Sequence, residues 1–328
     1  SKRELATAKS DLAVLEGKQN EAKQVVSHAE EIRASTAECW KDLDTPYIAG
    51  ASQPAESRID EIQWLSEFSQ KLNSHQIHFN ERTVKAFHTG LKCADISPLV
   101  VLAGISGTGK SLLPELYAFS LGMNFLPVAV QPRWDSPQDM FGFYNYMEGR
   151  YKATELSRLL WQFDKYNNSV AAQHFKNLIP MNLVLLDEMN LARVEYYFAD
   201  LLSKLETRRG LDPDIQDRRC KAEMEIECNA SVSAAQRRRL FVAANTLFVG
   251  TMNEDESTQT LSDKVVDRAN ILRFGRPQNL GSKADKAGFL KQKPAFITHE
   301  NWKKWLKRND QRVADLKRIL DPLNQDLE

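Results

Sequence analysis

No run of apolar residues in this chain approaches the ~18 uncharged positions that a membrane-crossing helix needs, so no such helix is expected. The opening stretch, SKRELATAKSDLAVLEG, lacks an apolar segment behind its basic residues, which argues against a secretory leader. Cysteine is scarce. Cys39, Cys93, Cys220 and Cys228 contain no CxxC pair, so reduced thiols are expected rather than a zinc site or a disulfide framework. An excess of either charge is also missing: 44 Lys and Arg face 44 Asp and Glu. No global field therefore draws the chain to nucleic acid or a membrane surface, although local patches can still act. A soluble, cytoplasmic protein with no membrane partner is the expectation.

What is present fits about two domains, with 328 residues and 42% hydrophobic side chains to fill a core. Residues 1–40 hold no proline, and Leu5, Ala8, Leu12, Leu15, Ala22, Val26 and Ala29 recur at roughly heptad spacing, interrupted by Gln19. That pattern predicts a helix, either a coiled-coil arm or a helix packed on its own domain. Pro46, Gly50 and Pro54 break it, and helical spacing resumes over 57–73 through Ile59, Ile62, Leu65, Phe68 and Leu72. From about residue 80 short apolar runs alternate with helical patterns, at 99–103, 125–130, 183–186, 247–252 and 271–274. Continuous apolar runs predict strands buried on both faces, hence a parallel sheet between two helical layers. A charged insertion at about 207–240 carries the Arg clusters 208–209, 218–219 and 237–239, and within it AEMEIEC alternates like one strand of a hairpin. Interleaved acidic residues favour a solvated, ion-paired face there over a phosphate-binding one. The stretch from 276 to 328 is rich in Lys and Trp and reads as helical.

The sharpest signal is Gly104, Ile105, Ser106, Gly107, Thr108, Gly109, Lys110 and Ser111, a complete GxxxxGK[ST] between an apolar strand and the helical run SLLPELYAFSLG; together with Leu112 these are the candidate nucleotide-binding residues. Glycines let backbone N–H groups wrap phosphates, and the next helix turns its positive end to them. Lys110 is placed to reach the β- and γ-phosphates, and Ser111 to hold Mg²⁺. A second apolar strand, NLVLL, ends in Asp187 and Glu188. In a phosphate-loop fold the Asp orders the Mg²⁺ shell and the Glu polarises the attacking water. A third, LFVGTM, ends in Asn253, whose amide can orient that water; Arg268 follows just before the last strand and can reach a neighbouring subunit's nucleotide.

With these elements in place, the glycine loop, LVLLDEMN, ARVEYYFADLLSKLE and VGTMNEDESTQTLSDKVVDRAN resemble the AAA+ domain of McrB-type proteins over about residues 98–275. Those are motor subunits of modification-dependent restriction systems. The resemblance implies a doubly wound α/β sheet of order 5-1-4-3-2 with a small helical lid. It implies rings, usually hexameric, with nucleotide at subunit interfaces, and a McrC-type nuclease as partner. Nucleic acid would be handled indirectly or through the pore. The residue roles it implies are Lys110 and Ser111 for phosphate and Mg²⁺, Asp187 and Glu188 as Walker B, Asn253 as sensor 1 and Arg268 as the trans-acting finger. The best-known members carry Met-Asn-x-x-Asp-Arg; here Met252-Asn253-Glu254-Asp255-Glu256-Ser257 keeps a carboxylate and lacks the Arg, which leaves ATP and GTP both open. The expected division is an arm and linker over 1–56, the nucleotide-binding domain over 57–275 and an incomplete lid over 276–328. Two rivals stand beside the nuclease-coupled motor: a chaperone-type remodelling ATPase and a nucleotide-driven assembly switch.

Lesser features carry simpler expectations. The aromatic run 141–146 suits either a pore-facing loop or packing beneath the ring. His75 and His78 have no ligand pattern around them, and Trp302 and Trp305 read as packing residues.

Overall fold

Five runs of branched and aliphatic residues become five parallel strands: β1 (Leu99–Gly104), β2 (Asn124–Ala129), β3 (Asn182–Asp187), β4 (Thr246–Asn253) and β5 (Ala269–Phe274). The computed structural model describes residues 23, 36–48, 59–164, 179–211, 215–228, 237–254, 259–275, 284–306 and 313–318. The heptad-spaced residues from Leu5 to Ala29 and the run from Asp255 to Ser257 lie outside the described residues, and so do residues 319–328. The strands lie side by side in the order β2-β3-β4-β1-β5, which read from the other edge is the expected 5-1-4-3-2. All pairings are parallel, with Leu99 opposite Phe248 and Ala269, and Ala129 opposite Asp187.

Alternation along each central strand builds two cores. Leu99, Val101, Val184, Leu186 and Phe248 point into one, while Val100, Leu102, Leu183, Leu185, Leu247 and Val249 point into the other. Each fully buried side chain of this kind contributes ~1.5–3 kcal/mol relative to exposure. On the second face lie α1 (Glu61–Ser74), α2 (Glu81–Lys92) and α3 (Leu112–Ser120). The starts of α1 and α2 are set by side-chain caps: Asp60 accepts the Gln63 N–H at 2.9 Å and Asn80 accepts the Arg82 N–H at 2.8 Å. Phe289, Ile297, Trp302 and Trp305 join this same core. Trp305, in the helix His299–Trp305, stacks on Trp64 at 5.9 Å, so the tryptophans pack as the sequence suggests. The first face is covered by α4 (Glu155–Gln162) and α5 (Ala199–Thr207), and by Cys39, Trp40 and Leu43 from the helical residues 36–44.

Three details depart from the sequence reading. β2 and β5 are edge strands and are partly exposed rather than buried on both faces, because a strand's lateral place depends on its crossovers and not on its own composition. The segment ARVEYYFADLLSKLE, a long helix by the resemblance, divides into Val194–Tyr197 and α5, with Phe198 at φ −114° between them. The charged insertion does close as an antiparallel hairpin, Met224–Glu225 against Arg239–Leu240. Its Arg219, however, is not solvated. It is 1% exposed, donates to Asp164 and, at 2.6 Å, to Glu223, and lies 4.3 Å over the Phe241 ring. A buried guanidinium is tolerable only with such partners.

Candidate functional site

Parallel strands end together, so Gly104, Ala129, Asp187, Asn253 and Phe274 share one rim of the sheet. In open parallel sheets ligands bind beyond this rim, where the direction of winding reverses. Here the reversal falls at β1, between β4 and β5, and the glycine loop leaves the sheet at that point. The loop's shape depends on missing side chains. Gly104 has φ 146°, and a Cβ there would meet the Phe274 carbonyl oxygen at 2.6 Å. Gly109 has φ 85°, and a Cβ would meet the Phe79 ring at 2.9 Å. A Cβ on Gly107 would face open space, so the backbone amides of the loop are approachable from outside. Lys110 is buried, and its Nζ donates to the Gly104 and Ile105 carbonyls at 2.8 and 2.6 Å.

Across the groove the acidic pair is held by β4. Asp187 Oδ1 accepts from Ser111 Oγ at 2.6 Å and from Thr251 Oγ1 at 2.7 Å. The Glu188 N–H donates to the same Thr251 oxygen at 2.9 Å. Glu188 sits at φ 54°, a left-handed conformation that costs a non-glycine residue ~1–2 kcal/mol. That conformation turns its carboxylate along the rim, where Asn253 Nδ2 donates to Oε1 at 3.3 Å. Behind the turn, Met189 fills the space left by the missing side chain of Gly250. The Tyr197 hydroxyl donates to the Met189 carbonyl at 2.8 Å, and burial pushes this phenol well above its ordinary value, so it stays a donor.

The structure thus brings Lys110, Ser111, Asp187, Glu188 and Asn253 to one groove. Arg268 is elsewhere. It precedes Ala269, which pairs with Leu99 at the opposite rim, about 17 Å away for a strand of this length. Its Nε contacts Glu206 at 2.7 Å, and both side chains are 34% exposed. Thr251 and Asn190 are the residues that sequence reasoning passed over. Gly250, an isolated glycine inside an apolar strand, was the available signal that another chain segment approaches closely there.

The donor set suits a magnesium triphosphate. Ser111 and Asp187 offer adjacent hard oxygens for Mg²⁺, with Lys110 and the glycine-loop amides for phosphate oxygens. Fold and groove together define a phosphate-loop nucleotide-binding domain of α/β type. The AAA domain family, dynein-related subfamily, matches residues 99–269, just over half the chain, and the protein belongs to that ATPase family. A solved structure from Cytophaga hutchinsonii, described as a candidate ATPase, aligns at 16% identity with a TM-score of 0.35. The alignment covers 70% of this chain and 56% of that one, and nothing about function follows from it. No curated protein matches the chain.

The hairpin from Gly142–Asn145 to Arg150–Ala153 divides the aromatic run. Phe141 and Tyr144 are buried, whereas Tyr146 and Met147 at the tip are 76% and 99% exposed. Among the described residues no helix is long and apolar enough to cross a membrane.

Proposed function

We propose that this chain is the NTP-hydrolysing subunit of a McrB-like AAA+ ring, powering or gating a McrC-type nuclease in prokaryotic restriction or antiviral defence. AAA+ domains commonly assemble into rings, and a hexamer is the form proposed here. The proposed parts are an arm over 1–56, the motor body over 57–275 and a lid from 276. The observation that carries the hydrolytic reading is the meeting of Ser111, Asp187, Glu188 and Asn253 within one hydrogen-bonded groove beside Lys110. The McrB-like assignment is supported by the DEMN and TMN runs that form its far wall.

Mg²⁺, when bound, would neutralise charge on the β- and γ-phosphate oxygens. Lys110 and the loop amides bind and orient the triphosphate. Glu188, presented by its left-handed turn, accepts the proton of a water aligned for in-line attack on the γ-phosphorus, and Asn253 fixes the direction of that carboxylate. Arg268 is too far from its own chain's groove to help there. Among the described residues its ion pair is an Nε contact to Glu206, and its outer edge is proposed to serve a neighbouring copy. Fingers of this kind are worth ~10³–10⁵ in rate in well-studied cases.

A remodelling ATPase is the second reading, favoured by the exposed apolar hairpin tip, which suits a protein segment better than a phosphate backbone. The deciding experiment measures ATP and GTP hydrolysis by wild type, Lys110→Ala and Glu188→Gln, with and without nucleic acid and the neighbouring gene product. Loss of binding in Lys110→Ala and loss of turnover with retained binding in Glu188→Gln are expected. Undiminished turnover in Lys110→Ala would overturn the nucleotide site, and full partner activity with Glu188→Gln would leave only an assembly switch.

A further inference from the structure

The turn after β3 is fastened at a point that no phosphate or metal role explains. Asn190, two residues beyond Glu188, is 1% exposed. Its Nδ2 donates to the Asn253 carbonyl at 2.9 Å and to the Gln259 carbonyl at 3.3 Å, and its own carbonyl accepts the Gln259 N–H at 3.1 Å. Two carbonyl partners fix the amide's orientation, because only its NH₂ end can donate. Among the described residues Asn190 Oδ1 is buried without a hydrogen-bond partner, so the donor end holds the side chain in place. These bonds join the turn Met189–Leu191 to the last residue of β4, whose side chain in turn meets Glu188.

We infer that Asn190 is a positioning residue for hydrolysis: by holding the main chain of Asn253, it sets the angle at which the Asn253 amide meets the Glu188 carboxylate. This rests on the reading that Glu188 and Asn253 align the attacking water. An aspartate at 190 has nearly the same shape but cannot donate, and it would set a carboxylate oxygen against two carbonyl oxygens. The sensor amide would then swing away from Glu188, and misplacements of this size cost on the order of tenfold to a hundredfold in rate. The glycine loop leaves β1, which pairs with β4 as far as Gly104 opposite Asn253; the Lys110 bonds within the loop do not involve Asn190, so triphosphate binding is expected to change little.

The test uses the full chain as Asn190→Asp, Asn253→Ala and the double variant, with kcat and KM for whichever nucleotide is hydrolysed and a thermal unfolding curve for each. If Asn190→Asp does not fold, Asn190→Ser takes its place, since its hydroxyl cannot span both carbonyls. The expected result is a kcat lower by about tenfold or more with KM within about twofold. The double variant should be no slower than Asn253→Ala alone, because both changes act through one amide. Normal kcat in Asn190→Asp beside a slow Asn253→Ala overturns the inference and leaves the proposed function standing. So do effects that multiply in the double variant. A wild-type rate in Asn253→Ala removes the sensor reading itself, and the inference with it.

Discussion

Replacing Thr251 with Val exchanges one hydroxyl for a methyl and keeps the branched shape of a buried strand position. The oxygen that disappears accepts the Glu188 N–H at 2.9 Å and donates to Asp187 at 2.7 Å. An N–H fully buried without an acceptor costs ~1–3 kcal/mol, and less for this part-buried one, while a bond to a carboxylate is worth ~1.5–3 kcal/mol. Asp187 keeps its bond from Ser111 at 2.6 Å, so the second loss is partly offset and the sum falls near ~2 kcal/mol. The left-handed backbone of Glu188 is the strained element that this bond restrains. Released from it, the carboxylate turns away from Asn253. If the whole sum is expressed in the transition state, turnover falls ~30-fold at ~1.4 kcal/mol per decade. Steady-state phosphate release gives kcat, a fluorescent nucleotide gives affinity, and a thermal scan gives stability; Thr251→Ser should recover most of each. A Thr251→Val protein within twofold of wild type in kcat, with an unchanged unfolding temperature, would refute the claim that this hydroxyl presents Glu188.

Three further outcomes follow from the packing. Gly250→Ala drives a methyl into Met189 and should destabilise by ~1–3 kcal/mol, read from denaturant midpoints; adding Met189→Ala should relieve it. Arg219→Ala leaves buried Asp164 and Glu223 without their shared cation and should cost ~3–5 kcal/mol, and a midpoint equal to wild type would contradict the burial described. His299 is held down to about 4 by burial and then by Lys303, from an ordinary 6.5. The unfolded chain then binds the extra proton first, so stability is full above pH 6.5 and declines as pH falls toward 4. His299→Gln should flatten that slope in pH-dependent melts, and an unaltered slope would exclude this residue as its source.

The strands were readable from their own composition, since central strands of a parallel sheet need apolar residues on both faces and the chain supplies five such runs. Strand order came from resemblance; the one local mark of an edge, Pro127 inside 124–129, which has no N–H to give a ladder, was not used. The phosphate loop was legible for the opposite reason: its chemistry is contiguous, and eight adjacent residues carry it. Thr251 and Asn190 were not legible, because their roles arise only where β3 and β4 lie in register, with Leu186 opposite Gly250. Arg219 misled for a related reason. Within its cluster it looks like a surface charge, and the partner that buries it, Asp164, lies far away in sequence.

A parallel sheet gives each molecule two unlike margins, and here the glycine loop occupies one while Arg268 occupies the other. On the proposed reading such a molecule is a tile with its socket and its plug on separate edges, so tiles join head to tail and close into a circle. The reactive centre then exists only at the seams. Specific activity should climb with protein concentration and fade on dilution, while every polypeptide stays folded.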